Sequence, residues 1–221
     1  FDCPYCQVDR SGEAPSGTID TALLGSELDA LLHRASSGEL WRKAPFDTVA
    51  APLRRVADVA FAGDGEPTTP REFAAAARVA REALNRASLH VPLRLLTNAT
   101  LFDRPRVREA LGLFDELWCK LDAGTEEQFR LASGAKISLS KVLANLRDVA
   151  RERPIVIQSL FFSFGGTPPS ELEIEAWATA LASIEASGGR IDRVQVYTVA
   201  RRPSELRVSP PEMQPLPSSG T

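Results

Sequence analysis

The sequence predicts an α/β chain built on parallel strands, arranged as a doubly wound sheet or a (β/α) barrel. Three observations predict it. Five short β-branched runs alternate with longer amphipathic stretches: Ala57 to Ala62, Leu93 to Thr97, Leu117 to Leu121, Ile155 to Phe161 and Val194 to Val199. The runs are nearly continuous in apolar residues, as strands covered on both faces should be. The stretches between them carry helix-start signals. Strand, helix, strand, repeated, implies parallel neighbours with right-handed crossovers. In both architectures ligands gather at the C-terminal ends of the strands, so chemistry is expected in the residues that follow each run.

The first helix is expected over Thr18 to Ala35, with Leu24, Leu28, Leu31 and Leu32 on one face. Thr69-Pro70-Arg71-Glu72 reads as a capping threonine, a proline at the first helical position and a reciprocating glutamate. Ser170 to Glu173 and Thr125 to Gln128 read as two further capping boxes. After Arg202 the prolines crowd together (Pro203, Pro210, Pro211, Pro215 and Pro217) with serines between. That composition predicts an extended or disordered tail over 203–221, leaving 1–202 as the core domain.

With 221 residues, 43% of them hydrophobic, the chain is long enough to bury one sizeable core. The formal net charge is -3 and no long basic run occurs, so the electrostatic footprint of a dedicated nucleic-acid binder is missing; Arg201 and Arg202 form at most a local basic patch. No apolar run approaches the roughly 20 residues of a membrane span, and no signal peptide is visible, so a cytoplasmic protein is expected. The chain opens at Phe1, without Met and already inside a cysteine motif, which leaves room for a targeting segment upstream. Three cysteines, two of them closely spaced, argue against a disulfide framework and for a metal or redox role in a reducing compartment.

Cys3-Pro4-Tyr5-Cys6 is the pair in question. A two-residue spacing lets one turn of loop present two sulfurs to one metal centre. Alone, the pair suits half a zinc site, a redox dithiol, an iron–sulfur centre or an accidental spacing. A zinc site needs further ligands, and the candidates are Cys119, His33 and His90. Cys119 lies in an apolar strand and reads as a small buried hydrophobe; the histidines read as surface or packing residues. A thioredoxin-like pair would open a helix, whereas here a polar, glycine-containing stretch, Asp9 to Gly17, follows.

The second informative segment is Gly63-Asp64-Gly65-Glu66-Pro67-Thr68, at the end of the first predicted strand. Its glycines allow close approach of the backbone to a ligand, and Glu66 at a strand mouth suits an ammonium group; a plain strand-to-helix turn is the alternative. The next strand ends in Thr97 and Asn98, which serve a ligand or turn chemistry. Lys120 and Asp122 alternate with apolar residues and so share a strand face, where they pair with each other or with a ligand. Gln158 and Ser159 interrupt an apolar strand and mark an inward hydrogen-bonding position. Tyr197 and Arg201 stand at the end of the last strand, facing substrate or serving as core and surface residues.

Cys-Pro-Tyr-Cys resembles the last part of the radical S-adenosylmethionine (SAM) signature Cys-x-x-x-Cys-x-aromatic-Cys, with Phe1 and Asp2 matching the residues just before the second cysteine. Gly63 to Thr68 resembles the family's Gly-Gly-Glu-type motif, which binds the SAM amino group. It is closer still to the Gly-Asn/Asp-Gly-Glu-Pro-Thr form of the branch that resembles wyosine-type tRNA-modifying enzymes. The resemblance runs from Phe1 to about Glu205. It implies a partial (β/α)6 TIM-like barrel whose first strand and first cluster cysteine lie upstream. It implies a [4Fe–4S] cluster with Cys3 and Cys6 as second and third ligands, and Tyr5 near the adenine of SAM. Gly63, Asp64, Gly65 and Glu66 would lie at the methionine end, with Thr97 and Asn98 beside SAM or substrate, and Lys120 and Asp122 at its ribose and carboxylate.

The activity implied is reductive cleavage of SAM and hydrogen abstraction by a 5′-deoxyadenosyl radical, with an electron donor such as flavodoxin or ferredoxin. No residue is assigned a catalytic role beyond cofactor binding, and the substrate is not readable. A tRNA base is one class, weakened by the missing basic footprint and second cluster motif; a protein, peptide or small metabolite is another. The competing class is a non-enzymatic iron–sulfur or zinc-binding domain.

Overall fold

The computed structural model describes residues 1–8 and 18–211. Helix α1 (Thr21–Ser36) is followed by three one-turn 3-10 segments (Leu40–Arg42, Phe46–Thr48, Ala51–Leu53). Then come β1 (Val59–Phe61), α2 (Phe73–Arg86), β2 (Leu93–Thr97), α3 (Pro105–Leu111), β3 (Glu116–Lys120), α4 (Glu126–Ser133), α5 (Leu139–Glu152), β4 (Ile155–Leu160), β5 (Ser163–Phe164), α6 (Glu171–Ala186), β6 (Ile191–Tyr197) and β7 (Val208–Ser209). Five strands pair in parallel in the order β1-β2-β3-β4-β6, and β5 pairs antiparallel with β7. Each large strand lies beside its chain predecessor, so the sheet winds one way only. A doubly wound sheet reverses its strand order at a switch point; this one does not, and the (β/α) barrel alternative is the one adopted.

The core lies between the sheet and its helices. Leu93, Leu95, Leu117, Cys119, Ile155 and Ile157 are fully buried on the helix side and meet Phe73, Leu84, Val107, Leu146 and Ile184. Burying each of the leucine, isoleucine, valine and phenylalanine side chains among them contributes about 1.5–3 kcal/mol. An aromatic triad anchors the end of β1. Phe61 stands edge-on to Phe114 at 5.2 Å, and Phe73, opening α2, stacks on Phe114 at 5.8 Å. The turn between Phe61 and Phe73, which carries Glu66, is thereby held at both ends.

The opposite face mixes charged and polar residues with apolar ones, contrary to the expectation of strands covered alike on both sides. The register aligns Arg94 with Glu116, then Leu96, Trp118, Val156 and Arg193, then Lys120, Gln158 and Gln195. Arg94 pairs with Asp58 and with Glu116 (2.7 Å to the latter) and lies over the Trp118 ring. The Arg94 hydrogen bond holds the Glu116 carboxyl below its usual range. On β6 the helix-side valines are bare, with Val196 59% exposed, because no helix follows β6 among the described residues.

Capping met expectation in part. Ser170 and Glu173 form the reciprocal box at α6, and Thr125 caps α4 through the Gln128 amide. The box at Thr69 to Glu72 is absent: α2 starts at Phe73, and Glu72 caps it with no side-chain bond. The Thr69 amide is already committed to the Glu66 carbonyl at 3.1 Å, so the helix begins one turn late. Helix α1 starts at Thr21, capped by Asp20.

The segment after Arg202 also departs from the tail expected. Its first part folds back on the domain, with Val208 paired to Phe164 and buried. A strand of two residues carries no readable periodicity, which is why composition alone suggested a tail. Residues 9–17 and 212–221, on which the polar loop and the rest of the tail fall, lie outside the described residues. No described helix is long and apolar enough to cross a membrane.

Candidate functional site

A cavity of about 320 Å³ opens at the C-terminal mouth of the sheet. Cys3, Tyr5, Cys6, Gly63, Asp64, Gly65, Glu66, Thr97, Asn98, Lys120 and Asp122 all line it. These are the residues that the sequence singled out, drawn from the N-terminal loop and from the ends of three strands. Parallel strands put all their C-terminal ends on one rim, so motifs far apart in sequence meet there.

Glu66 ties the ends of β1 and β2 together. Its Oε1 accepts from Thr68 Oγ1 at 2.6 Å, Thr97 Oγ1 at 2.5 Å and the Thr68 amide at 3.2 Å, and its Oε2 accepts from the Asn98 amide at 2.8 Å. Asn98 in turn holds Thr100 through its Oδ1. Thr97 and Asn98 therefore shape the site through Glu66 as well as lining it. A Cβ added at Gly63 or Gly65 would meet no protein atom within 4 Å. The bare backbone there keeps open a cradle that side chains would fill.

The cysteine loop makes one internal turn, Cys6 N–H to Cys3 C=O at 3.0 Å, and both thiols are free and half-buried. Burial raises the Cys3 thiol pKa; a hydrogen bond with Tyr5 works the other way. The Tyr5 hydroxyl donates to Asp122 Oδ2 at 2.6 Å. Asp122 Oδ1 accepts from the Leu160 amide at 2.8 Å and from Lys120 Nζ at 2.9 Å. Lys120 also donates to the Tyr197 hydroxyl at 2.7 Å and lies over both the Tyr5 and Tyr197 rings. Burial disfavours the Lys120 ammonium, but Asp122 and Tyr197 outweigh it and raise its pKa. Burial and the Asp122 charge push the Tyr5 phenol well above its ordinary value.

Gln158 lines the cavity and donates to Gln195 Oε1 at 3.0 Å. Ser159, its neighbour, points to the helix side and bonds Leu121 C=O and Trp177 Nε1; the two polar residues serve opposite faces. Tyr197 lines the cavity, whereas Arg201 is exposed and does not. Cys119 is buried in the core, its thiol pKa pushed up by desolvation, and His33 and His90 are exposed away from the cavity. Phe129, Ala132 and Ser133 of α4 also line the cavity. Sequence reasoning missed them because α4 lies off the strand ends; the Ser-Gly-Ala helix stop at Ser133 was the available signal.

The comparisons with known proteins bear on the fold. No family model matches the chain. Over 154 residues it is 27% identical to UPF0026 protein slr1464 of Synechocystis sp. (strain ATCC 27184 / PCC 6803 / Kazusa), covering 69% of this chain and 50% of that protein. The chain thus spans about half the length of this relative. A structure of TYW1 with a lysine–pyruvate adduct bound superposes with a TM-score of 0.58 at 15% identity, covering 94% of this chain and 63% of that one. The chain shares the TYW1 fold. The barrel implied by the radical SAM resemblance is therefore the fold found. Lower scores come with a domain of pyruvate-formate lyase-activating enzyme from Bacteroides vulgatus ATCC 8482 (TM-score 0.49, 18% identity, 70% of this chain and 84% of that chain) and with archaeal TYW1 (0.48, 16%, 79% and 58%).

Proposed function

We propose that this chain is the core of a radical SAM enzyme. The observation that carries the reading is the meeting of Cys3 and Cys6 with the Gly63 to Glu66 turn around one cavity. The TYW1 fold likeness supports the same class.

The donor set fits the cofactors in part. Cys3 and Cys6 are two soft ligands on one turn of loop, suited to two corners of a [4Fe–4S] cluster. Among the described residues no group of three or more His, Cys, Asp or Glu is placed to hold a metal ion, so the third thiolate of such a cluster must come from outside them. The bare backbone at Gly63 and Gly65 leaves room for SAM, in a cavity at the lower end of the small-molecule range. A bound cluster and SAM would supply one-electron cleavage of the sulfonium and a 5′-deoxyadenosyl radical for hydrogen abstraction.

The chain's own residues bind and orient. Glu66 offers negative charge to the SAM ammonium while its donors hold it in place. Lys120, neutralised by Asp122, leaves the adjoining wall without net charge, and Gln158 and Tyr197 furnish neutral polar groups beyond it. A tRNA base is the substrate class by analogy with the wyosine-type tRNA-modifying branch that Gly63 to Thr68 resembles. A reductant of the flavodoxin or ferredoxin type completes the scheme, in the cytoplasm.

Anaerobic reconstitution of the full-length protein tests this. About four irons per chain, with 5′-deoxyadenosine and methionine released from SAM on reduction, is the expected outcome. Stoichiometric zinc with no cleavage of SAM overturns it.

A further inference from the structure

We infer that the segment Pro203–Ser209 is a strap that positions the cysteine loop, with Ser204, Glu205 and Val208 as its positioning residues. Only its spectroscopic test rests on reading Cys3 and Cys6 as cluster ligands.

Beyond its single internal turn, the cysteine loop takes its order from contacts made by distant parts of the chain. Two of these come from the strap. The Ser204 amide donates to the Cys6 carbonyl at 2.8 Å, and the Glu205 amide donates to the Pro4 carbonyl at 3.3 Å. Consecutive amides thus take the two carbonyls that flank Tyr5, one of the two residues between the cysteines. Both bonds are made by backbone, so they depend on the path of the strap and not on its side chains.

That path is fixed further along. The Val208 amide closes a turn on the Glu205 carbonyl, and the Gly165 amide donates to the Arg207 carbonyl at 2.8 Å. Arg207 folds back on Glu205 and lies over the Phe164 ring. Val208 is buried with Ala132, Leu160 and Phe162, and Tyr5 packs against the same small cluster. One end of the strap therefore grips the loop's backbone, and the other shares an apolar cluster with the loop's aromatic ring.

The strap also joins two walls of the cavity. Its partner strand, β5, follows directly on β4, which carries Gln158.

Three variants of the full-length protein test the inference. Ser204→Pro removes the amide that bonds Cys6, Ser204→Ala keeps it, and Val208→Ala loosens the anchor. In cluster-free protein, alkylation of Cys3 and Cys6 by iodoacetamide should quicken about fivefold or more in Ser204→Pro and Val208→Ala, the effect of losing one net hydrogen bond or its equivalent in packing. Ser204→Ala should match the parent. In reconstituted protein the two loosened variants should change the paramagnetic spectrum of the reduced cluster on adding SAM, and Ser204→Ala should not. Parent-like alkylation in both loosened variants, or equal quickening in Ser204→Ala, overturns the strap. The alkylation arm requires no cluster, so it decides the strap even where the cluster reading fails.

Discussion

The Tyr5 hydroxyl and the Asp122 carboxylate, 117 positions apart, meet at 2.6 Å and tie the cysteine loop to the end of β3. Asp122 accepts as well from Lys120 and Leu160, so both of its oxygens are used within the protein. The resemblance implied contact of Asp122 with SAM; the geometry shows it holding the loop. Tyr5→Phe should cost about 1.5 kcal/mol, the net worth of a hydrogen bond to a charged group. Asp122→Ala should cost about 3 kcal/mol, because it also strands the half-buried Lys120 ammonium. Urea unfolding of both variants checks this, and equal losses would mean that the Lys120 pair adds nothing.

The same cluster sets an alkaline limit. The phenol of Tyr5 is raised by burial and by Asp122; Lys120 is raised because Asp122 and Tyr197 outweigh its burial. Both groups bind their protons more tightly folded than unfolded. Their stabilisation is therefore complete below the unfolded values, about 10 for tyrosine and about 10.4 for lysine, and is lost as pH rises toward the folded ones. Urea midpoints should be insensitive to these groups at pH 8 and fall above about pH 10. Tyr5→Phe should flatten part of that fall; an unchanged slope would show that Tyr5 titrates alike in both states.

Glu66 makes a different case. With four donors converging on it, it is a structural clamp, and the ligand role proposed for it separates from that one by measurement. Glu66→Ala should lower stability by about 2–3 kcal/mol, since the buried Thr68 and Thr97 hydroxyls lose their acceptor. In the reconstituted protein it should weaken SAM binding at least tenfold, about 1.4 kcal/mol, at unchanged iron content. Loss of iron together with SAM would place Glu66 in support of the cysteine loop instead.

What the sequence made legible follows from where its signals act. Gly63 to Thr68, Thr97-Asn98 and Lys120 to Asp122 each end an apolar run, and parallel topology brings run ends together without further information. The burial of Leu93, Leu95, Leu117 and Cys119 was readable for the same reason. The polar inner face was readable at its rim, from the alternation of Lys120 and Asp122, but not below it, where apolar density masks the alternation of Arg94 and Glu116 with those residues. The late start of α2 was not readable, because Thr69 looks identical as a cap and as a turn donor to Glu66. Nor was the return of Val208, whose buried partners Ala132, Leu160 and Phe162 lie more than forty positions away.

Gly134 offers the last test, of how the N-terminal loop is seated. It ends α4 in the left-handed region at φ +59°, and a Cβ there would lie 2.7 Å from the Asp2 carbonyl oxygen. The Asp2 amide in turn donates to the Ser133 carbonyl at 2.8 Å, so loop and helix end are in direct backbone contact. Gly134→Ala pays about 1–2 kcal/mol for its backbone conformation and must also push Asp2 away. Its loss of stability should therefore exceed about 2 kcal/mol, and Cys3 should become more reactive to iodoacetamide. Gly112→Ala is the matched control: Gly112 also ends a helix, but at φ -65° and with no atom within 4 Å of an added Cβ. It should stay within about 0.5 kcal/mol of the parent. If the two variants behave alike, the cysteine loop does not rest on α4, and the wall formed by Phe129 and Ser133 is not where the geometry puts it.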